Sequence, residues 1–308
     1  MHIKHRPICW DDVIGQEHII ERLKSTNLQG RAILLSGVRG TGKTTLALIL
    51  ANQFTCGIKE AMAHVNCGHT STVSEMRDYV DDFRRSNIFG SKKAYIFDEP
   101  QLLSNKAINE FLIPFENLPK NVMVIMCSSK SENIEPMLLD RMVRFKTKTL
   151  DESTSMRFLN NICKKEGIVL SKYIKTQIVT KCDGIPRKIL TSIPLVIDAK
   201  ESDIEYLLEL NAIGEEEDVL VLAKMIVGKK PWKEIKGYLT NLLKVKSPDN
   251  IRSAIMNIIA YRLTSDFLSN VDVEGKKLVD IFDAFNTSTF LDKAGLIVGV
   301  FKAYLIMK

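Results

Sequence analysis

Gly37, Val38, Arg39, Gly40, Thr41, Gly42, Lys43 and Thr44 fit the pattern G-x-x-x-x-G-K-[ST], set between the apolar run Ala32 to Leu35 and an apolar stretch of helical period, Leu46 to Phe54. Between a strand and a helix, that spacing is phosphate chemistry. The glycines let backbone N–H groups turn toward β- and γ-phosphates, and the helix start adds its positive end. Lys43 would meet the γ-phosphate and the Thr44 hydroxyl would bind Mg²⁺. Thr41 and Thr45 belong to the same nucleotide-binding set. A chance glycine turn would not combine the strand, the lysine and the hydroxyl.

Such a site needs carboxylates, and "AYIFDEPQLLS" supplies them at the end of an apolar run. Asp98 is read as holding Mg²⁺ through water, and Glu99 as orienting or deprotonating the attacking water. Paired carboxylates at the C-terminal end of a strand lie where a doubly wound sheet places its active site. ATP hydrolysis is therefore expected, with ATP and Mg²⁺ as cofactors. Ser128 and Ser129 end the next run, "VMVIMCSS", as short hydroxyls within range of the γ-phosphate or its water, although serines commonly end strands. Arg141 follows an apolar helical turn in "IEPMLLDRMVRF"; composition alone leaves a surface ion-pair partner and a catalytic group equally open.

The elements that must position these residues follow from the pattern. Residues 1 to 150 alternate apolar runs ("RAILLSG", "KAYIFDE", "NVMVIMCSS") with helical segments, the signature of a parallel sheet with crossover helices. Residues 151 to 201, with "DEST" and "DGIPRK", read as helices only. Residues 202 to 308 are helical again, with apolar spacing in "IEYLLEL", "IRSAIMNIIAYRL" and "KLVDIFDAF". Three domains are expected: an α/β nucleotide-binding module at 1–150, a small helical domain at 151–201 and an all-α domain at 202–308.

The bulk numbers set the class. A chain of 308 residues, 45% hydrophobic and 26% charged, has globular composition at a length that suits two or three domains. No leading stretch resembles a signal peptide and no apolar run reaches the roughly 20 residues needed to span a bilayer. A soluble, cytoplasmic protein without a membrane partner is expected. Six scattered cysteines without a C-x-x-C pair indicate neither a zinc module nor a disulfide framework. The charge of +6 is compatible with a polyanionic partner without establishing one.

These residues resemble the AAA+ ATPases, and within them the sliding-clamp loader subunits of DNA replication, the group of the bacterial DNA polymerase III gamma/tau subunit and the small subunits of replication factor C. The opening "HRPICWDDVIGQEHIIERL" looks like the loader N-terminal block, in which Val13 and Ile14 would border the adenine. "DEPQLLSNKAINEFLIPFENLPKNVMVIMCSS" is similar to the family's stretch after the catalytic glutamate, and the likeness runs from about residue 4 to about 195. The resemblance implies an AAA+ module, a helical lid and a helical collar. It makes Lys43 and Thr44 the nucleotide-loop pair, Asp98 and Glu99 the metal and catalytic carboxylates, and Ser128 the first sensor, with Ser129 open. Arg187 in "GIPRKI" matches the second sensor, and Arg141 the finger inserted into a neighbour's site. Three departures stand out. The family's Ser-Arg-Cys reads Asp140-Arg141-Met142, the four-cysteine zinc insertion is reduced to Cys56 and Cys67, and the chain ends at 308 without a tau-like extension. A compact, zinc-free, bacteriophage-encoded subunit acting in a host cytoplasm would fit all three.

A loader also implies partners: a sliding clamp, primer-template DNA and other loader subunits in a hetero-oligomer, a pentamer with several copies of this chain. It grips DNA through phosphates. "HTSTVSEMRDYVDDFRRS" reads as a helix with Val73, Met76, Val80 and Phe83 buried, so Thr72 at its start and Arg77 one turn on are candidate DNA contacts. Lys106 in "LLSNKAINEF" is another, and a solvated basic face explains Arg77 and Lys106 individually as well. Lys229, Lys230, Trp232, Lys233 and Lys236 read as a solvated helix start. Two other readings stay open: a branch-migration type of DNA-remodelling motor, and a non-catalytic scaffold subunit of a loader.

Overall fold

The computed structural model describes residues 4–68, 72–89, 92–197, 199, 230–244, 247–264, 271–286 and 293–307, with isolated positions between 204 and 226. The chain divides into two units, residues 1–171 with 183–190, and residues 172–182 with 191–308.

In the first unit five strands pair in parallel: β1 (Ala32–Ser36), β2 (Met62–Asn66), β3 (Lys93–Asp98), β4 (Val122–Ser128) and β5 (Met142–Lys146), in the order β2-β3-β4-β1-β5. Alternation along each strand feeds two cores. Ile33 and Leu35 of β1 join Ile96 and Ile125 beneath α1 (Glu17–Ser25) and α2 (Lys43–Phe54), which contribute Ile19, Leu23, Leu46 and Leu50. Ala32 and Leu34 join Phe97 and Val124 on the other core, closed by α3 (Val73–Phe89), α4 (Asn105–Asn109), α5 (Leu112–Glu116) and α6 (Pro136–Leu139). Helices thus cover both faces, which is why the seven residues of β4 are all buried.

Three parallel strands are legible as apolar runs in the sequence, and the structure adds two. β2 sits at one edge of the sheet and buries only Val65, so it carries no apolar run to recognise. β5 at the opposite edge alternates buried Met142 and Phe145 with exposed Arg144 and Lys146, directly after the helical turn that masks it.

Met76, Val80 and Phe83 form the buried stripe of α3, at the spacing of one helix face. Phe111 is fully buried against Phe97 at 5.1 Å between ring centroids. The helix start is closed by a capping box, in which the Thr72 hydroxyl and N–H donate to Glu75 Oε2 (2.6 and 3.0 Å) and Glu75 N–H donates back to Thr72 Oγ1 (3.3 Å). Further along, Asp82 accepts from Lys93 Nζ (2.9 Å) and the Tyr95 hydroxyl (2.5 Å), tying α3 to β3.

α7 (Glu152–Glu166) starts on Asp151, whose Oδ1 accepts from Thr154 N–H at 2.7 Å, and ends on Gly167 in the left-handed conformation. The second unit contains α8 (Lys172–Lys181), and α9 (Pro186–Val196) runs from the first unit's residues into the second's. Beyond them α10 (Trp232–Leu242), α11 (Pro248–Thr264), α12 (Val271–Asn286) and α13 (Lys293–Met307) share one core of Leu239, Ile255, Ile281, Phe285, Leu296 and Val300. Trp232 opens α10 and lies against the rings of Phe301 (4.7 Å) and Tyr304 (5.6 Å), so it is a packing residue at a helix start. Lys229 and part of "IEYLLEL" lie outside the described residues. Among the described residues no helix is long and apolar enough to cross a membrane.

Asp82 gives a pH signature. Burial alone would raise its pKa, but bonds from Tyr95 and Lys93 hold the carboxyl below its ordinary value. With the folded value below the unfolded one, its contribution is present above the unfolded pKa and lost as pH falls through the folded one. Asp82→Asn is expected to cost ~1 kcal/mol or less at neutral pH, the pair being partly exposed. Urea melts of wild type and variant should converge as pH falls through the folded value, on the acid side of the ordinary carboxylate range.

Candidate nucleotide-binding and hydrolysis site

Strand register brings the site together. Ser36 aligns with Ser128, Asp98 with Cys127 and Asn66 with Asp98, so the C-terminal ends of β1, β2, β3 and β4 meet at one rim. From β1 the chain enters a loop with positive φ at Gly37 (138°), Gly40 (88°) and Gly42 (103°). A Cβ at Gly37 would lie 2.3 Å from Thr147 Oγ1, while one at Gly42 would meet nothing within 4 Å. The first glycine is needed for packing against the strand end. The second is needed for its φ and leaves the start of α2 without a side-chain cap, its N–H groups facing an open cradle.

Lys43 is 6% exposed and its Nζ donates to the carbonyls of Gly37 (2.8 Å) and Val38 (3.0 Å). Burial lowers its pKa, and the charge of Glu99 partly offsets that. The Thr44 hydroxyl donates to Asp98 Oδ1 at 2.9 Å, and His64 Nε2 lies 2.7 Å from Asp98 Oδ2. Burial would raise the Asp98 pKa, but these two partners hold it below the ordinary carboxylate value.

Glu99 has left-handed backbone (φ 56°, ψ 52°) and its N–H donates to Cys127 O at 2.8 Å. Its Oε2 accepts from Ser129 Oγ (2.8 Å), Ser129 N–H (3.2 Å) and Gln101 Nε2. Again burial would raise the pKa and the donors, Gln101 first, lower it. Ser128 is fully buried and donates to Gln101 Oε1 at 2.6 Å. The two serines of the β4 end therefore divide: Ser129 touches Glu99 directly, and Ser128 reaches it through Gln101.

Arg187 opens α9, and its N–H donates to Gly40 O at 3.3 Å. Its side chain lines the same cavity as Lys43, Thr44, Thr45, Asp98 and Glu99, together with Arg6 and Arg39. Although exposed, Arg187 has its pKa lowered by partial desolvation and by repulsion from Arg39 and Arg6. Four basic side chains thus face two carboxylates, a balance that suits a polyanion. Beside this cavity a cleft lined by Pro7, Val13, Ile14, Leu46, Phe158 and Leu190 borders the loop at Thr41 and Gly42. Its wall is fixed by Gln16, whose Nε2 donates to Lys148 O (2.6 Å) while its Oε1 accepts from Lys148 N–H (3.3 Å). Thr41 serves the loop itself, its hydroxyl bonding Val38 O (2.8 Å) and Thr147 Oγ1 (2.7 Å).

The other expected residues lie elsewhere. Arg141 forms a surface ion pair with Glu116 (Nη2–Oε1 2.5 Å). Arg77 pairs with Glu110 at 3.0 Å, Thr72 is part of the α3 capping box, and Lys106 is exposed in α4. Sequence reasoning missed His64, Gln101, Arg6, Arg39 and Gln16 as parts of the site. Arg39 sits inside the glycine loop and Gln101 two residues past Glu99, so position alone could have flagged both. His64 lies on the unrecognised strand β2 and had no signal.

The class of the protein follows. Residues 33–150 match the model of the ATPase family associated with various cellular activities (AAA), and this part of the chain is an AAA ATPase domain with a nucleotide site. The chain is also similar to bacterial DNA polymerase III subunits. It is 27% identical over 251 residues to the gamma subunit of Buchnera aphidicola subsp. Baizongia pistaciae, covering 73% of this chain and 68% of that one. It is 24% identical over 247 residues to gamma/tau of Mycobacterium tuberculosis, covering 72% and 43%. Against tau of Escherichia coli it is 28% identical over 188 residues, covering 54% and 29%. The chain thus spans about two thirds of the first relative and less than half of the other two. Among solved structures, the Holliday junction branch migration motor RuvB of Thermotoga maritima matches with a TM-score of 0.51 at 16% identity, over 72% of this chain and 79% of that one, which is a likeness of fold.

Lys43→Met tests the cradle. Removing a desolvated charge should leave the melting temperature without nucleotide unchanged or higher. The stabilisation by magnesium nucleotide, about 2.7 kcal/mol at 100 times Kd for a competent site, should disappear. Thermal melts with and without nucleotide read both.

Proposed function

We propose that this chain is the ATP-hydrolysing motor subunit of a sliding-clamp loader. The observation that carries the reading is the convergence of Lys43, Thr44, Asp98 and Glu99 on one cavity, in a chain whose sequence relatives are DNA polymerase III gamma and gamma/tau subunits. The residues fit a magnesium nucleotide. An uncapped helix start and a lysine suit phosphates, and a hydroxyl and a carboxylate oxygen 2.9 Å apart suit a small hard cation. Bound Mg²⁺ would supply charge neutralisation at the transferring phosphate. Thr44 and Asp98 would hold it, and Glu99 would orient and deprotonate the attacking water. Val13 and Ile14 would border the adenine. Arg187 would join lid closure to the nucleotide.

Assembly completes the reading. Arg141 would leave Glu116 and enter the neighbouring subunit's site, and residues 1–150, 151–201 and 202–308 would act as motor, lid and collar. Support for a covered collar comes from α13, where Ile297 (37% exposed), Phe301 (39%) and Leu305 (54%) form a stripe one turn apart while Leu296, Val300 and Ala303 fill the core behind it. A helix apolar on both faces needs a second neighbour. Other loader subunits would supply that neighbour, the clamp would be opened, and primer-template DNA would be gripped through phosphates near Thr72, Arg77 and Lys106 in the cytoplasm.

The deciding experiment is steady-state ATPase with and without primer-template DNA and a cognate ring clamp, in the presence of companion subunits. DNA and clamp should stimulate together, and Glu99→Gln should lower turnover on the order of 100-fold or more. Stimulation by DNA that ignores the clamp would point to another remodelling motor, and no turnover in any mixture to a scaffold. Arg141→Ala should lower the assembled rate while leaving nucleotide affinity intact. Phe301→Glu should shift the sedimentation of the assembly toward free subunits.

A further inference from the structure

We infer that Glu166 is a positioning residue for nucleotide retention: from the end of α7 it clasps Lys4 and His5, and so holds Arg6 and Pro7 against the nucleotide cleft. The inference rests on the reading of the phosphate cavity and the cleft beside it as the place of a bound nucleotide.

The clasp is one carboxylate with two donors. Lys4 Nζ lies 2.6 Å from Glu166 Oε1 and 2.9 Å from Oε2, and His5 Nε2 lies 2.5 Å from Oε1. An ionised carboxylate only accepts, so His5 Nε2 carries a proton and donates it. The surroundings of the donors differ: the His5 side chain is 9% exposed and that of Lys4 67%. The Lys4 bond does more to hold the Glu166 pKa below its ordinary value, but an ammonium standing mostly in water is screened and mobile. The histidine bond therefore carries more of the positioning. Local propensity does not explain this glutamate. It is the last residue of α7, at the negative end of the helix dipole and just before the left-handed Gly167, where a carboxylate is disfavoured. Lys4 and His5 compensate it from 162 and 161 positions away.

What the clasp holds is part of the site. Residues 4–9 lie in no helix or strand, and His5, Arg6 and Pro7 line the cleft together with Phe158. Phe158 comes from α7 itself, about two turns before Glu166, so one helix supplies both a wall of the cleft and the anchor of the segment that lines it. Arg6 also lines the phosphate cavity, where its charge repels that of Arg187. With Arg39 there as well, three guanidinium groups push against one another unless a polyanion lies among them. Downstream the segment is fixed by Trp10, whose indole N–H donates to Gln53 Oε1 at 2.8 Å. Upstream Glu166 is the counterweight. It keeps Arg6 at the cavity against that repulsion, holds the cleft wall around a bound nucleotide, and so slows the nucleotide's release.

The test is a chase experiment on the full chain, in which a fluorescent magnesium ADP analogue is displaced by excess ADP and its release followed by stopped flow. Glu166→Ala should raise the release rate about three- to tenfold, the scale of a partly exposed set of charge-assisted hydrogen bonds, with the association rate within about twofold. His5→Ala should follow it closely, and Lys4→Ala should stay within about twofold of wild type. Glu166→Gln, which keeps an acceptor and loses the charge, should fall between wild type and Glu166→Ala. The double variant His5→Ala, Glu166→Ala should release no faster than Glu166→Ala, because the two residues act through one contact. A folded Glu166→Ala that releases nucleotide at the wild-type rate would overturn the inference, whether or not its melting temperature without nucleotide has dropped, since a contact that serves stability alone leaves release untouched. Fully additive effects of the two alanines would overturn it as well. If wild type binds the analogue and Lys43→Met does not, the nucleotide reading stands and the clasp alone falls. A wild type that binds no nucleotide removes both.

Discussion

A buried ammonium sets the terms for this fold. Lys43 is nearly inaccessible, and the oxygens nearest its Nζ are two carbonyls of its own loop, at 2.8 and 3.0 Å. A desolvated cation is costly unless anions face it. Asp98 and Glu99 do so from the next strand but one, and both carboxyls are kept ionised by donors placed around them. The parallel sheet exists, in functional terms, to hold these opposite charges at one rim. The excess of Arg6, Arg39 and Arg187 in the same cavity then makes a polyphosphate the natural counter-charge.

Register does the rest. Because β1, β3 and β4 are central and buried on both faces, their ends cannot slide without moving an entire apolar ladder to the wrong core. Asp98, Cys127, Ser128 and Ser36 are thereby fixed to each other by backbone, and only side-chain torsions remain free at the site. The strands supply the fixed positions, and Gln101, Ser128 and Ser129 supply the side-chain hydrogen bonds around Glu99.

Legibility in the sequence followed burial. The glycine loop, Asp98, Glu99 and the serines of β4 could be read because central strands are continuous apolar runs and their ends are marked by polar residues. β2 and β5 could not, because an edge strand is covered on fewer sides and mixes polar with apolar residues. Missing β2 meant missing His64, the partner of Asp98. Arg187 was named by likeness to a family, and it lines the cavity. The bond between Ser128 and Gln101 was beyond reach of pattern, since it depends on rotamers at two strand ends 27 positions apart. Arg77 was read as a candidate DNA contact and Arg141 as a finger for a neighbour's site, with a surface cation as the alternative for each, and each has an acidic neighbour, Glu110 and Glu116, that no local spacing announces.

The contact between Gln16 and Lys148 has a consequence beyond the cleft it shapes. A glutamine side chain ends in the same chemical group as a peptide bond, and here it meets both the N–H and the carbonyl of Lys148, as the backbone of a neighbouring strand would. Lys148 lies two residues past β5, the outermost strand on that side. Gln16 thus imitates one rung of a sixth strand without offering a further edge. Where a bare sheet margin would invite pairing with a stray chain, this rung is taken by a side chain rather than by another strand.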